Sequence, residues 1–203
     1  MLIEHRGKRP SVHESAFVAP TAVVCGDVTI GPRTHVAFGA VVVSHGCPVV
    51  IGTQSIIREN AVVRATAKQP VRIGDYVLVG PNAALYGCTI EDEAFLATGV
   101  TIFHEAHIGK QAEVRINGVV HVRSVLPANA LVPIGWVAVG DPAEVLPPNE
   151  HEKIWAIQKP LNFPSTVYGV ERSTEGRVDM KEITRRLAEG LAEHRHDRVL
   201  DEL

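Results

Sequence analysis

Residues 90–113 read IEDEAF LATGVT IFHEAH IGKQAE, four consecutive hexapeptides that each begin with an aliphatic residue. The same spacing extends in both directions along the chain, with longer steps after Val42 and Val63 and a shortened step before Ile90. The aliphatic residues in this register are Val18, Val24, Ile30, Val36, Val42, Ile51, Ile57, Val63, Ile73, Val79, Leu85, Ile90, Leu96, Ile102, Ile108, Val114, Val120, Leu126 and Val132. The residue four places after each of them, up to Ala130, is small or is valine. A double register kept this long indicates a structural repeat.

Repeats of six residues predict a parallel β-helix, in which three short strands form one triangular coil and the coils stack about 4.8 Å apart. The aliphatic residue of each hexapeptide points inward, and the small residue lets the chain turn the corner. Glycine follows the aliphatic residue directly at Gly31, Gly52, Gly74, Gly80 and Gly109. We therefore predict a mainly β fold, a left-handed parallel β-helix over residues 11–146. The left hand is taken from the repeat type, since ordinary parallel crossovers are right-handed.

The remaining residues, 147–203, are predicted to form a C-terminal α-helical segment. A short helix is expected at 150–159, a loop at 160–177 and a second helix at 179–196. The second helix carries Met180, Ile183, Leu187 and Leu191 on one face. We expect that face to pack along the β-helix or on a neighbouring subunit. The two longer steps of the repeat place loops at 44–50 and 66–72, where excursions from a regular coil often carry function.

The composition excludes several classes of protein. The 203 residues are 45% apolar but only 5% aromatic, with a formal net charge of −3. This balance gives no footprint for nucleic acid or for an anionic membrane surface. No apolar run is long enough to span a bilayer or to act as a signal peptide, so a cytoplasmic protein is expected. Ten histidines are the one compositional feature that suggests chemistry, because imidazole is a common metal ligand and general base.

The cysteines indicate no metal site by their spacing. Cys25, Cys47 and Cys88 are an odd number and form no CxxC pair, so we expect small buried or free thiols.

Four segments of the chain carry a resemblance to a known family. They are GDVTIG at 26–31, IGDYVLVG at 73–80, GCTI at 87–90 with its shortened step, and VGDPA at 139–143. Over residues 11–148 the chain resembles the γ-class carbonic anhydrases. The resemblance implies a homotrimer with active sites between subunits and a zinc ion held by three histidines. Such a zinc ion supplies hydroxide at neutral pH by lowering the pKa of its bound water.

The three zinc-ligand positions of that family do not carry histidine in this chain. They fall on Arg64, Pro81 and Tyr86, none of which can hold zinc as an imidazole would. The family's Arg-Gly-Asp and Gln-Asp motifs are also replaced, by 43–45 (Val-Ser-His) and 58–59 (Arg-Glu). We therefore predict no metal and no cofactor at this site, and no zinc-dependent hydration of CO2.

Residues three hexapeptides apart are expected to stack, which predicts what replaces the zinc site. One column would contain Val43, Arg64, Tyr86, Phe103 and His121, and the next Ser44, Ala65, Gly87, His104 and Val122. Arg58, Glu59, Pro81 and Asn82 would lie on the adjoining face or across a subunit interface. The candidate catalytic residues are His45, Glu59, Tyr86 and His104, and the candidate anion-binding residues are Arg58, Arg64 and Asn82. A small anionic ligand at the subunit interface is the partner these residues suggest.

Each candidate has a structural alternative. Arg58 can form an interface ion pair with Glu59, and Tyr86 can be an interface aromatic residue. His45, or His104 with His107, can be a base, a relocated metal ligand or a surface histidine. His5 and His13 have no visible partners, and the histidines at 194 and 196 are expected at a solvated helix end. The apolar residues Val43, Phe103 and Ile116 are expected between subunits.

Three functions stay open at this point. The first is a trimeric binding or structural protein that has lost the zinc site. The second is an acyltransferase or thioesterase acting on a small acyl or CoA-type substrate at the subunit interface. The third is a metal enzyme of the carbonic anhydrase type with relocated ligands.

Overall fold

The computed structural model describes residues 1–200 and consists mainly of short β-strands. The strands are β1 Leu2–Glu4, β2 Ser11–Val12, β3 Phe17–Val18, β4 Val23–Cys25, β5 Val28–Ile30, β6 His35–Val36, β7 Val41–Ser44, β8 Val49–Ile51, β9 Ile56–Ile57, β10 Val62–Ala65, β11 Val71–Ile73, β12 Leu78–Val79, β13 Ala84–Tyr86, β14 Thr89–Ile90, β15 Phe95–Leu96, β16 Thr101–Ile102, β17 His107–Ile108, β18 Glu113–Val114, β19 Val119–Val120, β20 Val125–Leu126, β21 Leu131–Val132, β22 Val137–Val139, β23 Glu144–Leu146 and β24 Arg198–Leu200. The helices are α1 His151–Gln158, α2 Phe163–Tyr168 and α3 Met180–Ala192, with 3₁₀ turns at Lys159–Leu161 and Glu193–His196.

The strands form three sheets that make the walls of a parallel β-solenoid of about 8 turns. Each strand of the stack pairs in parallel with the strand three before it and the strand three after it. The first sheet runs in the order β23-β22-β19-β16-β13-β10-β7-β4-β1-β24. The second is β2-β5-β8-β11-β14-β17-β20, and the third is β21-β18-β15-β12-β9-β6-β3. The predicted hexapeptide β-helix with a C-terminal helical segment is confirmed.

The core consists of the predicted aliphatic register. All of these aliphatic residues are at most 5% exposed, and most of the small residues after them, such as Thr34, Ser55 and Ala61, are buried at the corners. Between the two positions the backbone turns in the left-handed region, with φ from 55° to 61°, at Arg33, Gln54, Asn60, Tyr76, Asn82, Glu93, Glu105, Gln111, Asn117, Arg123 and Asn129. A residue in this conformation lets the chain turn sharply at each corner. It occupies neither of the two positions that the repeat predicted.

Both ends of the first sheet are closed by antiparallel strands. Strand β23 folds back on β22 through a turn at 140–143 and ends at Leu146. At the other end, β24 pairs with β1, so that Leu200 faces Leu2 and Arg198 faces Glu4. Strand β1 precedes the expected start at residue 11, and β24 was not predicted. Together they bring the two ends of the described chain side by side.

The C-terminal helices differ in one respect from the prediction. Helices α1 and α3 lie where they were expected, and the Asp179 carboxylate caps α3 by accepting from the backbone N–H groups of Lys181 and Glu182. The segment 160–177, predicted as a loop, contains α2. Its Phe163 ring packs edge to face on Phe103 of the β-helix at 5.5 Å between centroids. This long-range contact and the helix-compatible Pro164 explain the unpredicted helix.

The expected position of three apolar residues between subunits needs correction. Val43 is buried within the chain and Phe103 is covered by α2, which leaves only Ile116 exposed. The apolar face of α3 turns toward the β-helix, where Ile183 is buried and Leu187 and Leu191 border a cavity. Among residues 1–200, no helix combines the length and hydrophobicity that crossing a membrane requires.

Candidate binding site

A cavity of about 660 Å³ lies between the first sheet and the helices α2 and α3. Its floor includes Arg64 of β10, Tyr86 of β13, Thr101 of β16, and Phe103 and His104, which follow β16. Its roof is formed by Phe163, Val167, Tyr168, Arg186, Leu187 and Leu191. His45 and Arg6 complete one end. The cavity forms here because residues 147–200 fold back over the outward-facing side chains of the first sheet.

The predicted stacking of residues along this face is confirmed. Arg64 stands in register with Val43 on one side and Tyr86 on the other, and Ala65 with Ser44. The Tyr86 and Phe103 rings lie 6.2 Å apart, and Tyr86 stacks on His104 at 5.8 Å with an interplanar angle of 10°. These contacts form an aromatic floor beside the Arg64 guanidinium.

Arg64 differs from the other two arginines of the cavity in its bonding. Its Nε is buried and has no hydrogen-bond acceptor among residues 1–200. Arg6 is paired with Glu193, and Arg186 donates to Glu182 at 2.7 Å and to the Gly169 carbonyl at 2.9 Å. A buried donor on a charged group is costly when it is left unpaired, so Arg64 is the group of the cavity best suited to receive an anion.

Three histidines in or near the cavity are held neutral by burial. Burial lowers the pKa of His104, although Glu105 opposes the shift, and burial also lowers the pKa of His121. The buried Nδ1 atoms of both have no partner in the described part of the chain. Burial, together with the positive charges of Arg64 and His194, lowers the pKa of His45 to about 4. Neutral imidazoles can accept a proton, so the cavity contains candidate bases.

The structure brings together four of the seven candidate residues. His45, Arg64, Tyr86 and His104 all border the cavity. The others follow strands of the third sheet and do not border it: Arg58, Glu59 and Asn82. The Arg58 guanidinium donates to the Glu59 carboxylate at 2.9 Å on the surface, which matches the ion pair considered as its alternative role.

His104 and His107 do not converge on one site. His107 begins β17 in the second sheet, and its Nε2 lies 2.8 Å from the Glu91 carboxylate. His104 instead borders the cavity on the first sheet. The corner between them sends the two side chains to different walls of the coil, which explains why this candidate pair of relocated ligands is not assembled.

Two of the histidine predictions were wrong. His5 is buried and its Nδ1 donates to Asp197 at 2.6 Å, although no partner was expected. His194 was expected at a solvated helix end, yet its Nδ1 donates to the same carboxylate at 2.6 Å. Residues 5 and 197 are 192 positions apart, so no spacing in the sequence could reveal this pair. The one feature of the sequence that indicates the contact between His194 and Asp197 is their spacing of three residues, which one helical turn can bridge.

The side chains at the three zinc-ligand positions do not fit a zinc ion. Arg64 offers a guanidinium that stays protonated, Pro81 has no side-chain donor atom, and Tyr86 stacks its ring on His104.

The relatives in sequence include carbonic anhydrases of the γ class, and no family model matches. Gamma carbonic anhydrase 1, mitochondrial, of Arabidopsis thaliana is 34% identical over 145 residues, which are 68% of this chain and 50% of that protein. The carbonic anhydrase of Geobacillus kaustophilus is 32% identical over 110 residues, 54% of this chain and 60% of that one. The chain thus spans roughly half the length of the curated relatives it matches.

Solved structures share the fold. A hexapeptide transferase family protein from Anaplasma phagocytophilum superposes with a TM-score of 0.52 and 22% identity, over 95% of this chain and 93% of that chain. At this identity the likeness concerns the fold alone. The sequence relatives identify the chain as a γ-carbonic-anhydrase-like protein, and the observed solenoid is the fold expected of its hexapeptide repeats.

Proposed function

We propose that this protein has lost the three-histidine zinc site of its relatives and binds a small organic anion in the cavity beneath α2 and α3. The proposal is supported by the buried Nε of Arg64, which has no partner among residues 1–200 and lies where the resemblance to the γ-class carbonic anhydrases places a zinc ligand. A guanidinium presents paired donors that match a carboxylate, and such charge-assisted bonds are roughly twice as strong as neutral ones.

The rest of the cavity indicates what kind of anion would fit. Its volume of about 660 Å³ is in the usual range for small-molecule sites. The walls include Tyr86, Phe103, Phe163, Tyr168 and Leu187. An apolar body would pack on these side chains while its charged end reaches Arg64. A carboxylate on an aromatic or branched aliphatic skeleton is therefore the proposed ligand class.

A direct test is calorimetric titration with a panel of monocarboxylates from acetate to phenylacetate, each paired with its uncharged amide. We expect at least one carboxylate to bind and its amide to bind far more weakly. Arg64→Met should weaken that binding about tenfold or more, the value of one charged hydrogen bond of about 1.5 kcal/mol.

The matched control is Arg72→Met, which removes an exposed guanidinium of the second sheet, outside the cavity, and should leave carboxylate binding unchanged. If no carboxylate of the panel binds, or if both variants bind as the parent does, the anion site is excluded.

A second candidate function, acyl transfer or thioester hydrolysis, is favoured by His104. Its neutral imidazole stacks on Tyr86 inside the same cavity, and its buried Nδ1 has no partner among residues 1–200. In that role Nδ1 would take the proton from a water or hydroxyl as its oxygen attacks the acyl carbon, and would give that proton to the thiolate as the carbon–sulfur bond breaks. Hydrolysis of short acyl-CoA thioesters that is lost in His104→Gln, and kept in His107→Gln, would favour this function over simple binding.

The proposed assembly is a homotrimer that buries the outer face of the third sheet. Phe17, Ile56, Phe95 and Leu131 lie along that face and are each 37–46% exposed. A stripe of large apolar residues on a soluble β-solenoid is typical of a subunit contact. The same sheet also carries three of the candidate site residues, Arg58, Glu59 and Asn82, after its strands. Any part that they play in binding or catalysis would therefore be at this interface.

Loss of zinc chemistry has its own test. Protein supplied with zinc should not accelerate CO2 hydration in a stopped-flow assay with a pH indicator. A rate enhancement that saturates with CO2 and scales with protein concentration would overturn this part of the proposal.

A further inference from the structure

Four potential metal ligands meet at the end of the β-helix where β24 closes on β1. His5 follows β1, Cys25 ends β4, and His194 and Asp197 lie in the turn that leads into β24. One donor atom from each residue lies within 4.8 Å of the other three. The residues come from three separate parts of the chain, so the closure of the two termini assembles the cluster.

The donor atoms converge on the Asp197 carboxylate. Oδ1 accepts from His5 Nδ1 at 2.6 Å, and Oδ2 accepts from His194 Nδ1 at 2.6 Å. Cys25 Sγ lies 3.7 Å from Oδ2. The imidazoles of His5 and His194 stack at 4.4 Å between centroids, and each presents its Nδ1 to the same carboxylate.

The cluster is largely shielded from solvent, and His194 is its most exposed member at 28%. The side chains of His5 and Asp197 are 3% and 15% exposed, and Cys25 is buried. Burying two imidazoles, a carboxylate and a thiol together is costly unless their polar atoms are satisfied by a partner of matching chemistry. Imidazole nitrogen with thiolate sulfur and one carboxylate oxygen is a donor set suited to zinc and related ions.

We propose that His5, Cys25, His194 and Asp197 bind a divalent first-row transition metal ion of the zinc type. Bonds of about 2.0–2.3 Å in a tetrahedron place the ligand atoms about 3.3–3.8 Å apart. Binding therefore requires shifts of about an ångström, in which metal bonds replace the hydrogen bonds to Asp197. Each ligating imidazole gives up the Nδ1 proton that it donates to Asp197 and carries its remaining proton on Nε2, and the Cys25 thiol releases its proton to solvent as the metal–sulfur bond forms.

This site is separate from the family's zinc position and from the proposed anion site. It uses none of Arg64, Pro81 and Tyr86. Four protein ligands leave no open coordination position, which is typical of a structural metal ion. The ion would fasten the segment after α3 to the first coil and so hold α3 over the cavity.

A hydrogen bond connects the proposed metal site to the cavity. His194 Nε2 lies 3.3 Å from His45 Nδ1, and His45 borders the cavity. With the metal on His194 Nδ1, the Nε2–H group donates to His45, the kind of outer partner that orients metal-bound histidines. His45 is therefore a positioning residue for this site.

The test uses the full chain, stripped with a chelator and titrated with Co²⁺ and then Zn²⁺. We expect one equivalent of Co²⁺ to bind, with d–d absorption of a tetrahedral ion and a thiolate-to-cobalt charge-transfer band, and Zn²⁺ to displace it. Cys25→Ser should abolish the charge-transfer band. His194→Gln should abolish stoichiometric binding. The matched controls are Cys47→Ser and the exposed neighbour His196→Gln, which should behave as the parent does.

The proposal is overturned if the parent protein binds no stoichiometric Co²⁺, or if its cobalt spectrum is unchanged in Cys25→Ser. Circular dichroism checks the fold of each variant. If His194→Gln does not fold, the comparison of the parent with Cys25→Ser still decides the question. Carboxylate binding is measured separately, so failure of the anion site leaves this result unaffected.

Discussion

Glycine at the first position of a corner is a steric requirement of the stacked coils. A Cβ added at Gly31 would lie 2.6 Å from the carbonyl oxygen of Gly52, and one added at Gly52 would lie 2.7 Å from the carbonyl carbon of Gly74. The obstructing atoms belong to the backbone of the next coil and cannot move aside as a flexible side chain would. Each glycine of this column therefore permits the close approach of the coil above it.

Gly31→Ala should accordingly destabilise the protein by about 1–3 kcal/mol, the usual cost of an overpacked site. Gly190→Ala is the matched control, because its Cβ would meet nothing within 4 Å in the interior of α3. We expect the control to leave the free energy of unfolding unchanged or to raise it by up to about 1 kcal/mol. Urea denaturation measures the free energy of unfolding of both variants. Equal stability of the two would contradict the steric explanation.

His104 and His121 should make stability depend on pH. Burial holds the pKa of each below the ordinary value of 6.5, so the unfolded state binds more protons in the range just below that value. Stability is therefore highest above pH 6.5 and falls as the pH decreases toward the pKa values of the folded state.

Thermal denaturation at about pH 7.5 and about pH 5.5 tests this dependence. The decrease in Tm should be smaller in the double variant His104→Phe, His121→Phe than in the parent. His45, which also titrates below the ordinary range, is retained in both proteins and contributes the same background. An unchanged difference between the two pH values would show that these histidines are not the cause.

At the scale of elements, α3 is held over the cavity by few apolar contacts. Ile183 is its only buried residue, whereas Leu187 and Leu191 are 45% and 51% exposed. Arg185 and Arg186 form surface ion pairs with Glu182, which add little to stability. The position of the helix thus depends on Ile183 and on the closure of β24 against β1.

Ile183→Ala should loosen α3 without unfolding the β-helix. The local cost is about 2–4 kcal/mol, as for other buried isoleucine truncations. Hydrogen exchange should become faster over 180–192 and stay unchanged in the strands. Met180→Ala, at an exposed position of the same helix, should change exchange hardly at all. Faster exchange throughout the strands of Ile183→Ala would contradict a locally attached helix.

At the scale of the whole molecule, the proposed trimer depends on the third sheet. Phe95→Glu places a charge in the middle of its apolar stripe and should dissociate the trimer, since an unpaired buried charge is costly. Sedimentation velocity at micromolar concentration measures this, with Met180→Glu as the control on an exposed helix surface. A parent protein that sediments as a monomer would exclude the trimer.

The repeat made most of the β-helix predictable. Aliphatic and small positions such as Ile102 and Ala106 recur in fixed register because each coil meets the same steric demands as the last. The stacking of Arg64, Tyr86 and Phe103 was predictable from their spacing, because three hexapeptides complete one turn of the β-helix. The sequence also shows directly that positions 64, 81 and 86 carry Arg, Pro and Tyr instead of histidine.

The tertiary structure alone decided what covers that face and what meets at the chain ends. Helix α2 forms where Phe163 packs on Phe103, and His5 meets Asp197 through pairing of β24 with β1. A periodic sequence determines contacts between neighbouring coils because they are separated by a constant number of residues. Contacts of the non-repeating C-terminal segment have no such constant separation, and they depend on which exposed face of the solenoid that segment buries.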